Sequence, residues 1–167
     1  KQVYDLWAKT ADTTVTRTKV TASLLIPGQV DVLLAGPSGP AGPSAVTNVD
    51  AYIQIRLPLT TTAVVSAAVA TPVTVSGTVY IATGQLAQAT IDINTNLNAL
   101  FGGGTNSVGE VLPGIDIAGV VYLTQIIEQI MVTNGARNVV LSAPVADVTL
   151  GANNVATLTV SLTYTGV

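Results

Sequence analysis

The stretch 44–70 constrains the fold most, because it predicts a helix, a stop and a strand in direct succession. Apolar residues recur there at intervals of three and four, as one buried face of an α-helix requires: Ala45, Val46, Val49, Tyr52 and Ile53. Ser44 is placed to cap the first turn, and Pro58 disfavours helix at the residue before it. The sequence therefore predicts a helix over 44–56, and the β-branched run 60–65 predicts a strand after it.

Two extended segments precede this unit and are joined by a turn. Residues 13–24 are rich in β-branched side chains, and residues 29–34 alternate in polarity, as strands do. Pro27-Gly28 lies between them, so an antiparallel hairpin over 13–34 is the simplest pairing. The Gly/Pro-rich segment 36–43 predicts a surface loop.

Outside these segments, the first 70 residues hold one further candidate element. Residues 3–11 contain Tyr4 and Trp7 in a short mixed pattern that favours a helix.

Thr71-Pro72 interrupts the β pattern, because proline cannot donate to a sheet ladder. We therefore expect a subdomain boundary at this proline.

The second half repeats the order of a strand followed by a helix. Val73, Val75, Val79 and Ile81 alternate with polar residues and predict a strand. A helix over 85–101 follows from apolar residues on one face: Leu86, Ala89, Ile93, Leu97, Leu100 and Phe101. Gly102-Gly103-Gly104 is expected to end it.

The segment 105–118 is a long predicted loop that carries five apolar residues: Val108, Val111, Leu112, Ile115 and Ile117. These side chains are expected to be covered, either by their own domain or by a partner protein.

The last third predicts one more helix among short strands. Residues 120–123 are extended, and Thr124 is placed to cap a helix over 125–132. Four residues are expected to be buried on that helix: Ile126, Ile127, Ile130 and Met131. Short extended segments are predicted at 139–141 and 147–150. The last strand is predicted from Leu158, Val160, Leu162 and Tyr164, which alternate with hydroxyl-bearing residues.

Together these elements predict an α/β (α+β) chain of two small subdomains. The first, residues 1–70, holds the hairpin, one helix and a strand. The second, residues 71–167, holds a strand, two helices and the terminal strands. Each is expected to be a mainly antiparallel or mixed sheet packed with one or two helices.

Composition excludes several classes of function. The 167 residues include no Cys and no His, so a disulfide framework, a cysteine nucleophile and a Ser-His-Asp triad are excluded. The six Lys and Arg residues are scattered along the chain and the net charge is −3, which argues against nucleic-acid binding. No apolar run reaches the roughly 18 residues of a membrane span. Because the chain begins with Lys1 and not Met, we expect a fragment or a processed product.

The acidic residues are the remaining candidates for chemistry. Asp92, Glu110, Asp116, Glu128 and Asp147 are isolated in sequence, and no second catalytic residue type accompanies them. General acid and base catalysis needs a positioned partner. We therefore predict no catalytic, cofactor-binding or metal site, no enzymatic activity and no small-molecule substrate.

Three short motifs allow a ligand-binding interpretation beside a structural one. Gly102-Gly103-Gly104 with Thr105 is similar to a phosphate loop, but it follows a helix and lacks the Gly-Lys-Ser/Thr ending. Asp147 with Asn153 and Asn154 could bind a hard cation, although a hairpin turn explains them better. Tyr4 and Trp7 could stack on a sugar, although packing or a protein interface is favoured for them.

Six segments stand in a characteristic order: residues 27–39, the helix 46–55, residues 56–61, and the closing segments 120–127, 134–139 and 141–144. In this order they resemble the phage baseplate J-like family of tail proteins. As an ordered set the resemblance covers nearly the whole chain, and it would place the chain in the C-terminal half of such a protein. The resemblance implies a structural subunit of the wedge around a contractile tail hub, or of a related injection device.

The expected partners are therefore other baseplate and tail proteins and copies of the chain itself. The expected location is the virion, in a baseplate assembled in the host cytoplasm. The alternative hypothesis is a surface or receptor/carbohydrate-binding module of a phage or bacterial protein, which the Thr/Asn-rich composition and Trp7 would also fit.

Overall fold

The computed structural model describes residues 2–23 and 25–167. Within them lie four helices: α1 Gln2–Ala11, α2 Pro43–Gln54, α3 Leu86–Gly102 and α4 Leu123–Met131. The strands are β1 Arg17–Ala22, β2 Gln29–Gly36, β3 Gly39–Pro40, β4 Thr62–Ala67, β5 Val69–Ile81, β6 Gly104–Thr105, β7 Val111–Leu112, β8 Val120–Val121, β9 Ala136–Ala143, β10 Val148–Thr149 and β11 Asn154–Gly166. The mixed α+β class is confirmed: helices pack against several small sheets.

The first sheet is built on β2. It pairs antiparallel with β1 and β3 and parallel with β4. Helices α1 and α2 pack on this sheet and on each other. The core between them buries aliphatic side chains from both layers, among them Val32, Leu34, Val49 and Ile53. The predicted hairpin is confirmed, and the end of its first strand at Leu24 lies outside the described residues.

The second sheet has the order β11-β5-β9, with β11 parallel and β9 antiparallel to β5. Helix α3 packs against β11 and against α4, and α4 packs against β9. This core includes Val75, Val79, Ile93, Leu97 and Ile126. The predicted alternation of β5 is therefore confirmed at its buried positions. Two pairs of two-residue strands, β6 with β7 and β8 with β10, complete the fold.

A third, smaller core cluster lies between the two main ones. It combines Leu33 and Ala35 from β2, Ala68 between β4 and β5, Ile117 and Val155. The chain passes from the first sheet to the second at Ala68, whose amide donates to the carbonyl oxygen of Leu34. The division into subdomains 1–70 and 71–167 stays a prediction.

The predicted break at Thr71-Pro72 is wrong, because β5 runs through both residues. Strand β9 pairs with β5 only from Ser76 onward, so Pro72 has a strand neighbour on one side, where it lies opposite Thr157. A proline is tolerated where one edge of a strand makes no ladder.

Two predicted helix caps are also wrong. The N-cap of α2 is Gly42, with Pro43 in the first turn, and Ser44 makes no capping bond. Proline at that position needs no amide partner and has a helical φ already. The N-cap of α4 is Tyr122 and not Thr124, and the free amide of Leu123 donates to the Asp147 carboxylate at 2.8 Å.

Some side chains predicted to be buried are exposed. On α4, Ile126 and Ile130 are buried, whereas Ile127 and Met131 are each 37% exposed. Leu86 is exposed at the start of α3. These three side chains lie where the helices face solvent, since each small sheet offers cover to only one narrow face.

The segment 105–118 divides into a covered and an exposed part. Ile115 and Ile117 are buried and Leu112 is half-buried, which agrees with a loop covered by its own domain. Val108 and Val111 are exposed, so their own domain does not cover these two side chains. Cover by a partner protein stays a prediction for these two valines.

Gly102, at the end of α3, provides a test of how closely α3 packs against the β2–β3 turn of the first sheet. A Cβ added there would overlap the carbonyl group of Pro37. We expect Gly102→Ala to lower the free energy of unfolding by about 1–3 kcal/mol, because backbone must move to make room. Chemical denaturation measures this. Gly166→Ala, which meets no atom, is the control, and equal stability of the two variants would contradict this packing.

Candidate functional site

The five acidic residues singled out from the sequence are not brought together. Asp92 accepts a hydrogen bond from Gln88 on its own helix, Glu110 accepts one from Asn106, and Asp147 caps α4. Asp116 and Glu128 are exposed. Within residues 2–23 and 25–167, no group of three or more acidic side chains could hold a metal ion.

The glycine segment has a packing role. Gly102 lies against Pro37, and Gly103 ends α3 with a φ of +84° and an amide that donates to Ala99. Gly103 also lies close to the Pro113 backbone. The three glycines thus end the helix as predicted and let two loops approach its last turn.

The Asp147, Asn153 and Asn154 motif is not a hairpin turn, so that prediction is wrong. A turn does form, because the Asn154 amide donates to Gly151 at 3.0 Å. The strands on either side of it pair with different partners, however: β10 with β8 and β11 with β5. The Asn154 side chain donates to the Thr71 hydroxyl, and Asp147 lies at the start of α4.

Trp7 and Tyr4 pack on each other and on the first core. Their ring centroids are 5.3 Å apart with an interplanar angle of 72°, an edge-to-face pair. Both are half-buried beside residues of α2 and β1. This geometry favours the packing interpretation over a flat platform for a sugar ring.

A cleft with a volume of about 580 Å³ lies between α3, the β2–β3 turn and β11. Uncharged polar groups of Ser38, Thr95, Asn98 and Thr105 line it, together with Ala156 and Leu158. Among the described residues, no ionisable side chain lines it. Such a cleft can offer hydrogen bonds to a neutral polar ligand or to a peptide backbone, and it offers no group for acid or base chemistry.

A buried arginine lies where the two main cores meet. Arg17 on β1 is 3% exposed, and its Nη1 atom donates to the carbonyl oxygens of Phe101 at 2.8 Å and Ile115 at 2.9 Å. Its Nη2 atom donates to the carbonyl oxygen of Gly36. One guanidinium thus joins the end of β2, the end of α3 and the covered part of the loop 105–118. The planar fork of arginine suits such an arrangement.

The charge of Arg17 is only partly compensated. Burial lowers the pKa of its guanidinium from the ordinary value, and the carboxylate of Asp116 offsets part of that effect. Phe101 lies at the C-terminal end of α3, where the helix dipole favours a cation. The arginine therefore has a structural role.

A second buried polar group holds the loop after α3. The Asn96 side chain, fully buried on α3, donates to the Gln129 carbonyl and to the Thr133 hydroxyl, both at 3.0 Å, and accepts from the Ser107 amide at 2.7 Å. Buried Asn106 continues the network, because it donates to Gln129 and accepts from the amide of Glu110. The network joins α3, α4 and the loop.

Sequence reasoning missed both polar centres. From the sequence, Arg17 is one of six scattered cations, and Asn96 is one of several polar residues in a helix whose apolar face alone is interpreted. The one available signal was positional, since Asn96 lies between Ile93 and Leu97 on the apolar face of the helix. No comparable signal marks Arg17, whose partners at Phe101 and Ile115 are 84 and 98 residues away.

No helix within the described residues is both long and apolar enough to cross a membrane.

Comparison with known proteins finds no family model and no curated protein that matches the chain. The resemblance to the baseplate J-like family therefore stays a prediction from the ordered motifs.

Arg17→Met tests the role of the buried guanidinium. We expect it to lower the free energy of unfolding by about 2 kcal/mol or more, because a buried acceptor left unsatisfied costs about 1–3 kcal/mol. Urea denaturation measures the change. The control is Arg137→Met, at an exposed position, for which we expect a change within about 0.5 kcal/mol. Equal stability of the two variants would show that Arg17 is not a structural centre.

Asn96→Ala tests the second network. We expect a loss of roughly 2 kcal/mol, since the Ser107 amide and the Thr133 hydroxyl lose their partner. We also expect faster hydrogen exchange in residues 105–111, measured by mass spectrometry. Asn98→Ala, two residues further along α3 at an exposed position, is the matched control. Unchanged exchange in the Asn96 variant would contradict the proposed anchoring of the loop.

Proposed function

We propose that this chain is a structural subunit of a phage tail baseplate, or of a related contractile injection system, and acts in baseplate assembly. The observation that carries the proposal is an exposed apolar surface at one end of the first sheet. We call it the end patch and define it as Leu25, Ile26, Ile55 and Leu59. These side chains are 91%, 52%, 78% and 107% exposed.

Backbone and side-chain contacts bring the members of the end patch to the same end of the sheet. The Thr62 amide, at the start of β4, donates to Gly28 beside the hairpin tip that carries Leu25 and Ile26. The Gln54 side chain, at the end of α2 next to Ile55, donates to the Ala63 carbonyl. An exposed aliphatic group of this kind is typical of a protein contact.

The rest of the surface supports the same role. The second sheet has helices on one face, while Thr74, Thr159, Ser161 and Thr163 are exposed on the strands. Charged residues make up 9% of the chain, against about 25% in average proteins. Surfaces with few charges lose little solvation when they are covered, and interface cores are depleted of charge. The ordered motifs of the baseplate J-like family add to this.

In this role the chain contacts other baseplate and tail proteins and copies of itself, within the virion. It needs no catalytic residue, cofactor, metal or small-molecule substrate, and it needs neither nucleic acid nor a membrane span. Its chemistry is the burial of uncharged surface at protein contacts.

The neutral cleft beside α3 favours a second candidate function, a receptor- or carbohydrate-binding module. Hydroxyl and amide groups line this cleft, and such groups can bind sugar hydroxyls. The half-buried, edge-to-face pair of Trp7 and Tyr4 argues against the sugar platform that the sequence suggested. Binding of the isolated chain to a glycan array, with no effect of its deletion on assembly, would favour this candidate.

The test of the proposed function is deletion of the coding gene from the genome that carries it. We expect tails without an assembled baseplate in electron micrographs, and a fixed number of copies of the chain in intact particles by mass spectrometry. Complementation with Leu59→Asp should fail, because a charge in the end patch opposes burial. Complementation with Val145→Asp, at an exposed valine outside the patch, should succeed. Normal tails in the deletion strain would refute the proposal.

A further inference from the structure

We infer that the outer edge of β11 is a self-association surface, on which β11 of a second copy pairs antiparallel about a two-fold axis. The inference rests on the proposed structural function, because it names one contact surface of such a subunit. It starts from the position of β11, which lies at the end of its sheet with β5 as its one strand neighbour among the described residues.

The edge of β11 is long and regular. All 13 residues pair with β5 in continuous register, from Asn154 opposite Val69 to Gly166 opposite Ile81. Among the described residues, its other backbone bond to a distant segment lies at its first residue, where the Ala118 amide donates to the Asn154 carbonyl oxygen. After Thr157, which lies against Gly39 of β3, the backbone groups that point away from β5 have no hydrogen-bond partner among the described residues.

The edge also lacks the features that protect edge strands from pairing. Such features are charged side chains, proline and bulges. Residues 154–166 contain no charged residue and no proline. The opposite edge differs, because β9 carries Arg137 and has register shifts against β5 at both ends of its pairing. The contrast singles out β11 as the open edge.

Self-pairing matches the side chains of β11 on both faces. In a pairing centred on Ser161, Leu158 lies opposite Tyr164 and Val160 lies opposite Leu162 on the face that α3 covers. On the other face Thr159 lies opposite Thr163. Directly opposed aromatic, aliphatic and threonine pairs stabilise antiparallel sheets, and like charges would oppose the pairing. A two-fold contact requires a self-complementary surface, which this neutral strand provides.

The surroundings of the edge differ along its length, because the β2–β3 turn and β3 flank its first part, where Gly39 lies against the Thr157 side chain. The neutral cleft lies beside the first half of β11, where Ala156 and Leu158 line it with Asn98 of α3. On the same flank of α3, Asn94 faces the buried hydroxyl of Tyr164. Ile91 lies one turn before Asn94 and is 59% exposed. A second copy would cover this isoleucine.

The test is sedimentation of the purified chain at rising concentration. We expect the wild type to form dimers and Ser161→Lys to weaken their association roughly five-fold or more, because two lysines then face each other. Thr163→Lys is an independent variant in case Ser161→Lys does not fold. Thr74→Lys is the matched control: it adds the same charge at an exposed position on β5, one strand away from the edge, and should leave association unchanged.

Cross-linking locates the contact. The chain has no cysteine, so a single Ser161→Cys, Thr159→Cys or Thr163→Cys substitution reports on its own position. In the pairing centred on Ser161 only residue 161 lies opposite its own copy, so we expect oxidation to yield covalent dimers from Ser161→Cys, fewer from Thr159→Cys and Thr163→Cys, and none from Thr74→Cys. A wild type that stays monomeric at every concentration, or equal loss of association in Ser161→Lys and Thr74→Lys, would overturn the inference. Neither result decides the proposed structural function, because that function is tested independently by the gene deletion.

Discussion

The structure depends on a buried guanidinium that joins the two main cores, which are built from different halves of the chain. Arg17 comes from the first strand, yet two of its three carbonyl partners, Phe101 and Ile115, lie in the second half of the chain. Because neither of the two small main sheets can by itself enclose a large apolar core, the contact between them contributes much of the order of the molecule. The small cluster of Leu33, Ala35, Ala68, Ile117 and Val155 lies in the same region. Polar and apolar contacts there reinforce each other.

The polar residues of the chain are mainly used to hold its parts together. Asn96 and Asn106 anchor a loop, Asp147 caps α4, and Asn154 donates to Thr71 between β11 and β5. Side chains committed to such bonds are held in fixed positions by the fold. The exposed remainder is rich in threonine, serine and aliphatic groups, which suits a subunit whose activity is contact with other proteins.

Periodicity predicted the elements whose packing is local. The apolar faces of α2 and α3 and the alternation of β5 and β11 follow from residues close in sequence, such as Ile93 with Leu97 and Val73 with Val75. Errors arose where a distant neighbour decides the outcome. Pro72 lies within a strand because β9 begins to pair only at Ser76, and α4 is capped by Asp147 from 24 residues away. The sheet order and the polar centres at Arg17 and Asn96 could not be predicted from the sequence for the same reason.

Cryo-electron microscopy of an intact contractile particle can show whether this chain is a scaffold that acts through uncharged contacts. We expect density for the fold in the baseplate, with the end patch covered by a neighbouring protein and the β11 strands of two copies side by side. Density for the chain at a fibre tip with its cleft facing outward, or its absence from the particle, would contradict the scaffold role.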